Sequence, residues 1–361
     1  MNWVEFDQSK AERIRIGVIG VSFGIHHAQS AATVPEAQLV AACDVRGSQR
    51  APIEKMGARF YTDYRQMLDT ESLDGVVVAV PNHLHATVSI ECLEHGLPVL
   101  LEKPLAPTLE DADRIIAATN RSGVPLLVGH QRRFSPFAEA ARELIANGGL
   151  GDLVGLSILW TILKPQGYFD VQWRTRRETG GGPLLINAIH TIDDLRYITQ
   201  REVTRAYAET SKRTRGLDVE DTASISLQMQ GGALATIFLS DCTPSIWSYE
   251  TSTAPWENPL FYYSPADCYY FFGTKSTLAL PQMQHVHYPN LAQQGWQYPI
   301  QIDRLGVQPA NPMRLEMSHF CRVIRKEELP RTTAVDARRT LETLLAVIRS
   351  SDLQAPVTLP A

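Results

Sequence analysis

The chain has 361 residues, 44% of them hydrophobic and 20% charged, with a formal net charge of −5. That length exceeds one ordinary hydrophobic core, so two domains are the natural expectation, and the composition is that of a soluble globular protein. No block of like charge points to nucleic acid or an anionic membrane surface, and five scattered cysteines without CxxC spacing suggest neither a disulfide framework nor a zinc site, so no metal is expected.

The opening MNWVEFDQSKAERIR carries charges where a signal peptide needs an apolar run, and no later stretch approaches the length of a membrane span. A cytoplasmic protein with no membrane partner is expected. From Ile14 onward one unit repeats, a short apolar run followed by an amphipathic stretch. The runs are IRIGVIG (14–20), QLVAACD (38–44), DGVVVAV (74–80), PVLLEK (98–103) and PLLVGHQ (125–131). Strands so uniformly apolar are covered on both faces, while HATVSIECLEH (85–95) and LEDADRIIAATN (109–120) have helical spacing. The pattern predicts an α/β, doubly wound parallel-sheet domain of Rossmann type over 1–131.

Beyond about Leu150 the strands alternate: VGLSILWTIL (154–163), TASISLQMQ (222–230) and ALATIFLS (233–240), the last two joined by a Gly-Gly turn. This predicts an α+β domain over 132–361 with a large, mostly antiparallel open sheet. A helix is expected at LLINAIHTIDDLRYI (184–198). Two more near 312–326 and 334–350 close the chain and are free to pack back on the first domain.

The first strand leads into Gly17, Gly20 and Gly24, where a dinucleotide pyrophosphate would meet free backbone amides at a helix start. The GxGxxG spacing is not met, because Ser22 replaces the second glycine and Gly24 falls one residue short of the third. Gly20, Ser22, Phe23 and Gly24 are nevertheless the expected cradle. Asp44 ends the second strand 24 residues after Gly20, the offset at which a carboxylate holds the ribose hydroxyls and repels a 2′-phosphate. NAD is therefore favoured over NADP, with Arg46 as a softening charge. Strand ends face the ligand crevice in such a sheet, which puts Pro81, Asn82, His85, Glu102 and Lys103 on the cofactor side.

With Pro81-Asn82-His83-Leu84-His85, Glu102-Lys103-Pro104, VGHQRRFSP (128–136) and GGGPLLINAIHTID (180–193) in this order, the sequence resembles the Gfo/Idh/MocA family. The resemblance covers nearly the whole chain. It implies that Lys103 binds the reacting oxygen and His190 exchanges its proton, types suited to a developing alkoxide and to titration near neutrality. It implies a nicotinamide-dependent dehydrogenase acting on a hydroxyl or carbonyl carbon of a sugar, polyol or inositol-type substrate. One departure stands out: the family's aspartate is Ile186 here, beside Asn187. Asn187, His190 and Asp194 are spaced for one helical face, so the amide or the later carboxylate is expected to orient the imidazole, with Asp193 pairing structurally, for instance with Arg196.

Trp173 and Arg174 precede the triple glycine and, with Lys103, Asn187 and His190, are the expected substrate contacts. The aromatic stretch 247–272 suits a sugar ring or a subunit interface, and a homodimer or homotetramer is expected. Two alternatives stay open, a family member acting on a non-sugar such as a trans-dihydrodiol and, given weight by Ile186, a non-catalytic NAD-binding sensor.

Overall fold

In the computed structural model, which describes residues 12–290 and 292–360, the first apolar run is a strand, β1 (Ile14–Ile19), buried along nearly its whole length. There follow α1 (Ile25–Thr33), β2 (Ala37–Cys43), α2 (Arg50–Lys55), β3 (Arg59–Tyr61), α3 (Tyr64–Thr70), β4 (Gly75–Val78), α4 (His85–Glu94), β5 (Val99–Glu102), α5 (Leu109–Ser122) and β6 (Leu126–Gly129). The six strands form one parallel sheet in the order β3-β2-β1-β4-β5-β6. Strand order reverses between β1 and β4, the kind of switch point at which doubly wound sheets bind ligands. The expected doubly wound sheet is thus present, with one strand more than the apolar runs reveal. β3 is only three residues long and carries a single buried side chain, Phe60.

Ile16, Val18, Val77, Leu100 and Leu127 turn one face of this sheet to Ala28 and Ala31 of α1 and to Met317, Phe320 and Cys321 of the helix Pro312–Ile324. The first compact unit accordingly joins the chain up to Gly129 with Met313–Asp336; the second comprises His130–Pro312 and the chain from Ala337 on. Local chemistry agrees with this packing. In α5, Thr108 caps the first turn by accepting from the Asp111 amide, two acids follow, and Gly123 closes the helix in the left-handed region.

The second unit contains α6 (Pro136–Ala146), β7 (Leu153–Thr161), a π-helical turn (Leu184–Ala188) running into α7 (Ile189–Thr199), β8 (Val203–Ser211), β9 (Thr222–Met229), β10 (Leu234–Ser240) and the single turn α8 (Tyr249–Ser252). β11 (Tyr269–Gly273), β12 (Ser276–Leu280), β13 (Gln284–His287) and β14 (Gln301–Arg304) follow; after the helix already described, α9 (Pro312–Ile324), come α10 (Ala334–Leu353) and β15 (Val357–Thr358). Nine strands form a sheet in the order β14-β13-β12-β11-β7-β10-β9-β8-β15, antiparallel except where β7 meets β10.

Alternation decides which face of this sheet is buried. Ile225, Leu227, Ile237, Leu239, Ile158 and Trp160 point inward and pack with Ile189, Ile192 and Leu195 of α7. The other face is open, and Leu234, Gly155, Phe272, Thr277, Val286 and Ile302 form one row across it. Among the described residues no helix is long and apolar enough to cross a membrane.

Candidate active site

The turn from β1 into α1 needs glycine at two places. Gly20 has φ +86°, and a Cβ there would stand 2.5 Å from the Ala79 carbonyl oxygen; at Gly24 it would stand 2.1 Å from the carbonyl oxygen of Gly20. Ser22 and Phe23 lie exposed between them, and α1 starts without a side-chain cap, so no side chain competes with an anion for its first amides, although that of His26 donates to the Phe23 carbonyl. The buried Asp44 carboxylate braces this turn, with Oδ2 accepting from the Val21 amide at 3.0 Å and Oδ1 from the Arg46 amide at 2.9 Å. Arg46 Nε adds a longer bond to Oδ1 at 3.4 Å, and since a carboxylate offers about four lone-pair positions, one is left for a ribose hydroxyl. The cradle therefore fits a dinucleotide.

Lys103 follows the last residue of β5 and precedes a cis Pro104. Its backbone amide donates to Glu102 Oε2 at 3.0 Å, while Glu102 Oε1 meets His27 Nε2 at 2.7 Å. Burial works to raise the Glu102 carboxyl, but the bond and charge of His27, with Lys103 adjacent, outweigh it and hold the group below the usual carboxylate range. His85, expected either to line the cofactor or to cap the following helix, is wholly buried, with Nδ1 at 2.8 Å from the Pro104 carbonyl and Nε2 at 3.0 Å from that of Val80. Its ring joins the Pro104 carbonyl of the lysine motif to the turn after β4. Pro81 is exposed and Asn82 half-buried at the turn after β4.

In the second unit, Asn187 sits in the π-helical turn and His190 near the start of α7. Such turns often mark functional positions. The Leu184 amide at the head of the turn donates to Glu220 Oε1 at 2.8 Å, and burial pushes this carboxyl up. Asn187 is held by a residue that no motif announced: Lys164 Nζ donates to its Oδ1 at 2.8 Å and lies 3.3 Å from Asp241 Oδ2.

All eleven residues of α7 are buried, so its charged members require partners. Asp194 Oδ2 takes Arg132 Nη1 at 3.0 Å and the Tyr269 hydroxyl at 2.8 Å. Burial pushes its carboxyl up to about 6 against the pull of Arg132. It is thereby tied into the buried network of the second unit. Asp193 is structural: Arg133 binds it through two bonds at 2.8 and 2.7 Å, and the charge of Arg196, which also pairs with Glu202, helps to hold its carboxyl below the usual range. Trp173 is exposed; Arg174 stacks on Tyr168, 4.1 Å from the ring centroid, and donates to its carbonyl.

The aromatic stretch divides between two environments. Tyr269 and Phe271 belong to the core and Trp256 packs between Phe137 and Tyr263, while Trp247, Tyr262 and Phe272 are exposed.

Residues 14–130 match the domain described as "Oxidoreductase family, NAD-binding Rossmann fold", and residues 138–278 match the "GFO/IDH/MocA C-terminal domain". The chain belongs to the Gfo/Idh/MocA family. It is 28% identical over 261 residues to the rhizopine catabolism protein MocA of Rhizobium meliloti, covering 70% of this chain and 80% of that one. To the myo-inositol 2-dehydrogenase of Thermotoga maritima it is 32% identical over 234 residues, 62% of this chain and 67% of the relative. Its fold is that of the WlbA dehydrogenase from Bordetella pertussis, solved in complex with NADH and UDP-GlcNAcA. The TM-score is 0.76 at 24% identity, covering 97% and 100% of the two chains.

This Gfo/Idh/MocA protein is a nicotinamide-dependent oxidoreductase with an NAD-binding Rossmann domain. Sequence reasoning missed Lys164 and Asp241 because neither sits in a family motif. The only local signal was a lysine directly after an alternating apolar strand.

Proposed function

We propose that the protein oxidises a hydroxyl-bearing carbon of a sugar, polyol or inositol-type substrate with NAD as acceptor, or reduces the corresponding carbonyl. The observation that carries this reading is Lys103 at the carboxyl end of a parallel strand, in a motif whose glutamate is buried and paired, in a chain that also keeps His190. NAD, when bound, supplies the hydride acceptor. Gly20, Ser22, Phe23 and Gly24 would hold its pyrophosphate and Asp44 its ribose, with Pro81, Asn82 and Glu102 bordering the site. Lys103 binds the substrate oxygen and stabilises the alkoxide as it forms; neutral His190 takes the hydroxyl proton. Asn187 helps to hold the substrate, and Trp173 and Arg174 contact its distal part.

The name of the Thermotoga maritima relative and the retained lysine and histidine favour a dehydrogenase over a non-catalytic sensor. We further propose a cytoplasmic homodimer or homotetramer, since the open sheet face carries an apolar row and exposed Leu234, Phe238 and Ile302. Turnover of NAD across sugars, inositols and sugar acids tests the reading; a protein that binds NAD and reduces it with none of them would be a sensor.

A further inference from the structure

Three cations gather on one aromatic pair in the second unit. Lys164 Nζ lies 4.6 Å from the centroid of Tyr168 and Arg174 Cζ lies 4.1 Å from the same ring, while Arg215 Cζ lies 4.2 Å from Phe169. The two rings meet edge to face with centroids 5.2 Å apart. Among the described residues one carboxylate is in ion-pair range of these cations, and it reaches two of them. Asp241 takes Arg215 Nε on Oδ1 at 2.8 Å and faces Lys164 Nζ with Oδ2 at 3.3 Å.

Neighbouring acids are committed elsewhere. Glu250 accepts from Arg132 at 2.7 Å and from the Trp160 indole at 2.8 Å. Asp221 accepts from the backbone amides of Thr214 and Arg215 and from the Thr222 hydroxyl, Glu220 accepts from the Leu184 amide, and Asp170 is exposed. Arg174 makes no ion pair among the described residues, and its Nε is buried without a hydrogen-bond partner. Burying cations in this excess is unfavourable unless an anion joins them.

We propose that this cluster is an anion subsite: the substrate carries a carboxylate or phosphate group that Lys164 and Arg174 bind, so the enzyme selects acidic sugars or polyols over their neutral counterparts. The donor count agrees. An ammonium has three N–H groups, and those of Lys164 serve Asn187 and Asp241, leaving one for the ligand. Burial pulls this ammonium below the ordinary lysine range in spite of Asp241, as expected of a charge only partly answered. The bond to Asn187 also fixes the subsite relative to His190, since residues three apart on a helix are neighbours. Selectivity at this subsite deepens the dehydrogenase reading and rests on it for the identity of the ligand as substrate.

Calorimetric titration of the NADH-loaded full chain with two matched sets tests it, glucose with glucuronate and glucose 6-phosphate, and xylitol with xylonate and xylitol 5-phosphate. At least one acid should bind roughly tenfold or more tightly than its neutral partner, the range of one or two charge-assisted hydrogen bonds. Carboxylate and phosphate members tell the two sources apart. Lys164→Met and, at a more exposed position less able to unfold the chain, Arg174→Gln should each remove most of that preference. Equal binding of acid and neutral members, no binding by any member, or a preference that survives both substitutions would overturn the subsite. NAD reduction by the same compounds, followed in parallel, separates the two readings: acid-selective binding without turnover leaves the subsite standing and removes the dehydrogenase, and turnover without acid preference does the reverse.

Discussion

His27 Nε2 lies 2.7 Å from Glu102 Oε1, a buried pair that ties the helix after the glycine turn to the strand that carries Lys103. Replacing Glu102 by Gln should lower stability by about 2 to 4 kcal/mol at pH 7, because it weakens a buried charged partnership and an acceptor of the Lys103 amide. The pH dependence has a definite sign. Glu102 is held below its ordinary value of 4.5, so its stabilisation is complete above that pH and is lost as pH falls through the lower folded-state value. Urea unfolding of both proteins at pH 7 and below pH 4 measures this. A gap of equal size at both pH values would show that the carboxylate charge is not its source.

Asp44 joins the ends of two strands, since its oxygens accept from Val21 on one side and Arg46 on the other. Asp44→Ala should therefore weaken NAD(H) binding by roughly tenfold to a hundredfold, the worth of one or two hydrogen bonds to a charged acceptor, and narrow the gap to NADP(H). Titration with both cofactors settles it; a variant that kept the wild-type preference would move discrimination to another residue.

The parts of the fold that were legible were those written locally. Val76, Val77 and Val78 lie in a run with no polar member, as a strand covered on both faces must, and the residues that follow such a run mark the ligand edge. Spacing along α7 was less informative. It put Asp194 one turn after His190, yet the partners that claim Asp194 are Arg132 and Tyr269, 62 and 75 residues away in sequence. A helical period states which side chains share a face and nothing about what packs across it. Lys164 was hidden for the same reason, because its contact with Asn187 spans a turn, a loop and 23 residues. His85 looked like a cofactor residue by position, and only three-dimensional packing shows that two carbonyls occupy its ring.

Glu316 on α9 is fully buried, and among the described residues neither carboxyl oxygen has a hydrogen-bond partner. Burial, with Glu102 as a second negative charge, raises its pKa well above the usual range. A carboxyl that stays protonated in the folded state while the unfolded chain ionises costs stability increasingly as pH rises above the unfolded value. Glu316→Gln should thus raise the melting temperature more at pH 8 than at pH 4. An effect that is constant over this range, or larger in acid, would exclude a buried neutral acid at this position.

The row Leu234, Phe272, Val286 and Ile302 lies on the open sheet face proposed above as the subunit contact. Phe238→Asp with Phe272→Asp should lower the mass in light scattering from a dimer or tetramer to about 40 kDa, because desolvating two carboxylates opposes association. A wild-type protein that already ran as a monomer at micromolar concentration would reject the oligomer, and an unchanged mass in the double variant would place the interface on another surface.

Lys103→Ala and His190→Ala should each lower kcat by at least roughly a hundredfold while NAD affinity stays nearly unchanged, as expected for groups that act on the transition state. The two losses differ with pH. Without His190, the rise in oxidation rate through the neutral range should vanish, since an imidazole ordinarily titrates there and only its neutral form accepts a proton. Without Lys103, charge stabilisation of the alkoxide is missing at every pH, so the profile keeps its shape at a lower level. Asn187→Ala should be milder than either, because an amide positions a ligand or a ring without supplying charge, and its effect should fall more on KM than on kcat. Isoleucine at 186 makes this comparison informative: with no carboxylate there, the imidazole has to act without the family's acidic partner. If His190→Ala kept near-native turnover on the true substrate, the proton would travel by another route, and Lys164, bonded to Asn187 at 2.8 Å, would be the first group to test in its place.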